Sequence, residues 1–217
     1  MRKSKAETAQ TRKRIIEIAA KAFKSNGIHA TGVSEIMAAA GMTHGGFYRH
    51  FSSKEELLAA ACASNIEQLA DSFESTIDET DDAFMRHLED FLSAEYRDDR
   101  LAGCALVAMG SELVRADPET RRAASQGFED LIVAMARRMG PGDDPESRDT
   151  AIFTLTSMIG AVTMARVIDD PGLSLRILGV AKRRLARPHK KPWVEKTPRS
   201  TDTGAVKRPE EAASEPG

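Results

Sequence analysis

The stretch AGMTHGGFYRHFSSKEEL, Ala40 to Leu57, decides how the rest of the chain reads. Two adjacent glycines, Gly45 and Gly46, stand among helix formers. A glycine inside a helix costs roughly 0.5–1 kcal/mol relative to alanine. The spacing puts Thr43 at the N-cap of a short helix that runs to about His50. Phe47 and Phe51, four apart, fall on its inner face with Met42 beneath them. His44, Gly45, Gly46, Tyr48 and Arg49 fall on its leading edge and outer side. A helix left bare there comes close to a phosphate backbone or a groove floor. Its unpaired N–H groups and positive dipole end favour an anion. Thr43, Tyr48, His50 and Lys54 add donors for phosphate oxygens.

Upstream, Thr11 to Asn26 carries Ile15, Ile16, Ala19, Ala22 and Phe23 at helical spacing. Asn26-Gly27 is a C-cap signal. A short second helix fits Val33 to Ala40, with Thr31, Gly32 and Ser34 available to cap its start, and Gly41 breaks it. Three helices with a glycine turn between the last two make a helix-turn-helix.

Downstream, Ser53-Lys54-Glu55-Glu56 is a capping box, with Ser53 at the N-cap and Glu56 at N3. The long helix after it carries Leu58, Cys62, Ile66, Leu69 and Phe73 on one stripe. Asp81 or Asp82 opens another helix, with Phe84, Leu88 and Phe91 inward. Leu106, Met109 and Leu113 suggest a further short one. Asp117-Pro118 and Asp144-Pro145 each read as N-cap followed by N1 proline. They open helices that continue to about Met139 and Val167. Pro171-Gly172 breaks the second, and a last helix is expected over Leu173 to Leu185. No alternating strand pattern stands out. The reading is all-α, with about nine helices. Residues 1–53 form a helix-turn-helix domain with a basic arm, and 54–186 form a helical ligand-binding and dimerisation domain. Residues 187–217 hold five of the nine prolines and few apolar side chains, and form a disordered tail.

The net charge of −2 hides an asymmetry. Residues 1–54 hold ten Lys and Arg against three acids, a net of +7, which leaves −9 for the rest. A basic head on an acidic body points to a polyanion at one end. No apolar run long enough to span a bilayer is read, nor a secretory leader. Two cysteines without CxxC spacing fit a reducing cytoplasm. No membrane partner is expected. His29, His87 and His189 lack metal-ligand spacing, and His87 is read as helix surface. No G-x-S-x-G, P-loop, H-E-x-x-H or dinucleotide fingerprint is present, so an enzyme is not expected. Neither a metal nor a cofactor is expected.

The segment AAKAFKSNGIHATGVSEIMAAAGMTHGGFYRHFSSKEELLAA, Ala19 to Ala60, resembles the DNA-binding domain of TetR/AcrR-family transcriptional regulators. The matching elements are F-x3-G-x3-T, I-x4-G and G-x-F-Y-x-H-F-x-x-K-x-x-L, in order and without gaps. The resemblance implies a ligand-responsive repressor that occupies a double-stranded DNA operator as a homodimer and leaves it when a small molecule binds the body. It implies phosphate grips at Tyr48, His50 and Lys54. Thr43, His44, Gly45 and Gly46 would face phosphates and bases. Thr31 and Ser34 complete the expected DNA-binding set. Family members often carry longer side chains at 44–46, so base reading here leans on His44, Arg49 and DNA shape. Arg49 either reads a base or faces solvent.

Beyond Ala60 the resemblance is one of helix pattern only. Met85, Leu88, Phe91, Cys104 and Met109 are candidates to line an effector cavity, together with Phe128, Ile132, Met135, Phe153 and Met158. Methionines adapt to varied apolar shapes, so an apolar or weakly polar effector is expected. Plain core is the competing reading for each. Cys104 sits just before a helix, where the dipole would lower its pKa. An alternative within the family is therefore a thiol sensor of oxidants or electrophiles. Cys62 reads as core. The helix Pro145–Val167 is apolar on more than one face. With Leu173, Ile177, Leu178 and Ala181 it suggests a four-helix dimer interface, with Gly160 and Ala161 allowing close approach. A monomeric helical domain is the alternative.

Overall fold

The computed structural model describes residues 5–75, 81–99, 103–140 and 144–186. The tail assigned to 187–217, with His189, lies outside them. Among the described residues there are nine α-helices, one 3-10 helix and no strand. The helices are α1 (Lys5–Asn26), α2 (Val33–Ala39), α3 (Lys54–Glu74), α4 (Asp81–Phe91), α5 (Ala94–Asp98), α6 (Ala105–Leu113), α7 (Pro118–Met139), α8 (Pro145–Val167) and α9 (Pro171–Leu185). The 3-10 helix, His44–Arg49, lies between α2 and α3.

Local chemistry sets most boundaries. Gly41 ends α2 with φ +71, a conformation that L side chains rarely adopt. Asp117 accepts the N–H groups of Glu119 and Thr120, and Asp144 accepts that of Ser147. Asp170 does the same for Leu173, so α9 starts at Pro171, two residues before the expected start. Asp170-Pro171 is thus a third use of the Asp-Pro signal. The sequence reading took this proline as a breaker. It also passed over α5, five residues capped by Ser93, whose hydroxyl accepts from Tyr96 N–H at 3.0 Å.

The head consists of α1, α2 and the 3-10 helix around Ile15, Ala19, Phe23, Ile36, Met37, Phe47 and Phe51, all buried. Each fully buried large apolar side chain contributes about 1.5–3 kcal/mol. The helix α3 begins in the head and continues into the body, so a single rod joins the two. There α3 lies against α7, and Gly127 allows the approach. A Cβ on it would stand 2.8 Å from Ile66 Cγ2. Of the stripe expected on α3, Leu58, Cys62, Ile66 and Phe73 are buried and Leu69 is half-buried against the same core. The core continues through Leu131, Met135, Leu155, Met158 and Val162.

By length and composition α8 is apolar enough to cross a membrane, which the sequence reading did not allow. One of its faces, with Ala151, Leu155, Met158, Val162 and Ala165, is body core. Its other face leaves Phe153, Met164 and Val167 exposed, and α9 leaves Leu173, Leu175 and Val180 exposed.

Candidate nucleic-acid interface

The short helix after Gly41 is a 3-10 helix rather than an α-helix. Thr43 occupies its N-cap without a side-chain cap bond, so capping does not bind its hydroxyl. Phe47 and Phe51 are buried and stacked at 5.6 Å, which anchors the turn from beneath. Its outer side shows Thr43, His44, Gly45, Tyr48 and Arg49, all exposed. The rings of Tyr48 and His44 meet edge-on at 6.0 Å. Ser34, on α2, is exposed. Gly46 and His50 are half-buried.

The two glycines differ. A Cβ on Gly46 would touch Met42 Cε at 3.4 Å and Met37 Cε at 3.6 Å, so this glycine lies against the chain's own core. A Cβ on Gly45 would meet nothing within 4 Å, and its φ is not positive. Neither packing nor backbone conformation requires glycine at 45.

Two expected contact residues turn inward. Thr31 is fully buried, and its hydroxyl donates to Gly27 O at 2.7 Å and Ala22 O at 3.2 Å. It fastens the α1–α2 turn and presents nothing to a phosphate. Lys54 donates from Nζ to Ile28 O at 2.7 Å and lies 5.9 Å from the Phe23 ring. Its ammonium is drawn over the head core rather than to the outer surface. The carbonyl of Ile28 and the aromatic face offer it partners that no local pattern shows.

A clamp that sequence reasoning missed holds the end of the turn. Arg12, in α1, donates from Nη1 to His50 O at 2.5 Å and from Nη2 to Glu56 Oε1 at 3.1 Å, and it stacks over the Phe51 ring at 4.1 Å. Ser53 accepts from Glu56 N–H at 3.2 Å, one arm of the capping box. The returning arm shifts by one residue, and Glu56 Oε2 accepts the Ser52 N–H at 2.7 Å and the Ser52 hydroxyl at 2.8 Å. The box flagged Glu56, but nothing in the pattern pointed to Arg12.

The Ser52 N–H, then the Ser52 hydroxyl and Arg12, hold the Glu56 carboxyl below its ordinary range. The folded state therefore binds fewer protons than the unfolded one. The contribution of Glu56 is present above its unfolded pKa, about 4.3, and is lost as pH falls through the lower folded value. In urea melts taken from about pH 5 to 3, Glu56→Gln should flatten the acid loss of stability seen in the parent.

In the body, the proposed cavity set is mostly core. Leu88, Phe91, Cys104, Met109, Ile132, Met135 and Met158 are buried in one continuous cluster, with Met85 and Phe128 packed partly buried against it. Phe153 is 51% exposed on the outer face of α8 and lines no interior. The described clefts, one between α1 and Ala40–Met42 and one at the head–body joint, involve none of the ten. Cys104 is at the N-cap of α6, yet burial pushes its thiol up. The Leu106 and Val107 N–H groups and Lys24 pull the other way and lose. The lowered pKa expected from the helix dipole is reversed, which removes the physical basis of the thiol-sensor alternative. Burial also pushes the Cys62 thiol up, to about 12. His87 is not helix surface; it is half-buried, its ring centroid 4.7 Å from that of Phe73. Among the described residues no group of His, Cys, Asp or Glu is arranged to hold a metal.

Residues 15–61, the clamped helix-turn-helix, match the family of bacterial regulatory proteins, tetR family. The match covers the head alone, which is similar to the heads of TetR-family regulators. The HTH-type transcriptional regulator AcrR of Shigella flexneri is 40% identical over 58 residues, 27% of each chain. The chain thus aligns with only about a quarter of that relative's length. Solved structures extend the likeness to the body. A TetR transcriptional regulator from Chloroflexus aurantiacus superposes with TM-score 0.66 at 26% identity, covering 83% of this chain and 94% of its own. E. coli NemR in its reduced form superposes with TM-score 0.70 at 18% identity, covering 82% and 95%. A head of this fold and a helical body are thus found together in solved proteins of the same architecture.

Proposed function

We propose that the chain is a ligand-responsive transcriptional repressor. It binds a pseudo-palindromic operator in double-stranded DNA as a homodimer, and a small apolar or weakly polar molecule releases it. The observation that carries this reading is Gly45: a backbone left bare at the outer edge of the recognition turn, flanked by exposed Thr43, His44, Tyr48 and Arg49. Phosphates approach such an edge closely, and the net charge of +7 over residues 1–54 draws them in. His44 and Arg49 then reach base edges. Two heads on one duplex face require recognition turns about one DNA turn apart, roughly 34–36 Å.

The outer face of α8 and α9 supports the dimer. Phe153, Gly160, Met164 and Val167 follow one helical face and are exposed. A Cβ on Gly160 would meet nothing within 4 Å in its own chain. An apolar, glycine-bearing face of this kind suits a second copy packed closely across a two-fold axis.

The test is a binding-site selection on random duplex, followed by a salt titration of the selected site. A dimer that neutralises six or more phosphates should give a log–log slope of about −5 or steeper. A flat slope, or equal affinity for a shuffled duplex, would reject the reading.

A further inference from the structure

The helix α3 runs through head and body, and α1 packs against it with apolar side chains. Apolar packing is non-directional, so it sets the roll of the head about α3 only weakly. A second attachment lies off that axis, where the end of α1 meets α6. Ile28, buried in the turn after α1, donates its N–H to Glu112 Oε2 at 2.8 Å. Lys24, in the last turn of α1, donates from Nζ to Gly103 O at 3.1 Å, just before α6 begins. Hydrogen bonds weaken steeply as they bend, so these links define an angle as well as a distance.

Both links are held on the body side and on the head side. A Cβ on Gly27 would stand 3.0 Å from Glu112 Oε1, so the bare backbone there admits the carboxylate to the turn. Gly103 has φ +103, and an added Cβ would collide with the Tyr96 hydroxyl, which accepts Cys104 N–H at 3.0 Å. The carbonyl that receives Lys24 is thus aimed by its own surroundings. On the head side, the Thr31 hydroxyl ties the same turn to Gly27 O at 2.7 Å. The Ile28 carbonyl accepts Lys54 Nζ at 2.7 Å. A strap therefore runs from α6 through Ile28 to the start of α3, which follows directly on the recognition turn.

We propose that Glu112 and Lys24 are positioning residues for operator spacing: they fix the roll of each head on its body and so set the half-site separation that the dimer accepts. The inference rests on the dimeric repressor reading above. It assigns the choice of spacing to residues away from the recognition turn. Shifting a half-site by one base pair carries it about 3.4 Å along the duplex and roughly 35° around it. A head strapped to its body by directional hydrogen bonds does not follow that rotation. A head held by apolar packing alone turns with it.

Full-length protein is titrated on the selected operator, on versions with one base pair removed from or added to the centre, and on an isolated half-site. The parent should lose about 30-fold or more on each altered spacing, because a dimer that cannot engage both half-sites forfeits the gain from linking them. Glu112→Ala should bind the half-site within about twofold of the parent, yet lose only about threefold on the altered spacings. Glu112→Gln keeps an acceptor oxygen in the same place and should behave as the parent. Lys24→Met keeps the stem, removes the donor and should relax the spacing as Glu112→Ala does. General damage to the fold would instead weaken half-site and operator alike. A parent-like spacing penalty in Glu112→Ala would overturn the proposal, as would a Gln variant as relaxed as the Ala variant. Should Glu112→Ala not fold, Lys24→Met decides on the same duplexes, and a parent-like penalty there rejects the proposal. A parent that binds every spacing equally well sinks this inference and leaves the repressor reading standing. A parent that ignores duplex DNA sinks both.

Discussion

Gly45→Leu should weaken operator binding by about 30-fold or more, roughly 2 kcal/mol, while leaving the head folded. The argument comes from what surrounds the position. A Cβ there meets no atom of its own chain within 4 Å, and the backbone does not adopt a positive φ. A side chain at 45 therefore costs the fold nothing in packing or strain. Gly45→Ala should even stabilise it, by up to about 1 kcal/mol. On DNA the same atoms would fill the space between the recognition turn and the duplex. Fluorescence anisotropy on the selected operator, with thermal melting of the free protein, separates the two effects. If Gly45→Leu binds as tightly as the parent, close approach is not the reason for the bare backbone. Gly46→Ala is the comparison, because its Cβ touches Met42 and Met37 and so mixes packing with binding.

Phe153→Glu combined with Met164→Glu should convert the dimer to a monomer and lower affinity for the full operator by about 10²–10⁴-fold, the range that linking two binding modules supplies. Both side chains are about half exposed in the single chain, at 51% and 48%, so the change leaves the body core intact. Placed against a second copy, two buried carboxylates per protomer face an apolar surface, and leaving them unpaired there is costly. Sedimentation should show the monomer. Affinity for an isolated half-site should stay near that of the parent, since each head is unchanged. A variant that still sediments as a dimer would place the interface elsewhere on the body.

Residues at local spacing largely disclosed the helices. Asp117-Pro118 and Asp144-Pro145 opened α7 and α8 as read, because an aspartate that accepts the first free N–H groups works within three residues of itself. The miss at Asp170-Pro171 was one of weighting: a following glycine made a start signal look like a stop. The 3-10 form of the recognition turn was also out of reach. Choosing between 3-10 and α over six residues depends on how Phe47 and Phe51 seat in the head core.

Site residues were legible only where exposure followed from helical phase. Tyr48, His44 and Gly45 face outward because Phe47 and Phe51 must face inward, and that opposition is written in the spacing. Thr31 and Lys54 carry the right chemistry at matching positions, yet both turn toward buried carbonyls. The preference of a hydroxyl or an ammonium for a carbonyl depends on which carbonyls the fold leaves open nearby.

The amino-acid order by itself determined an all-α chain, the basic head, the glycine turn and the helix starts, since these follow from capping, phase and charge within a few residues. Tertiary structure alone decided that Arg12 meets Glu56, that Lys24 and Glu112 fasten the head to the body, and that burial pushes the Cys104 thiol up despite its place at a helix start. Those outcomes turn on distances between segments tens of residues apart, and on how much water packing removes. Neither quantity is carried by any short stretch of sequence.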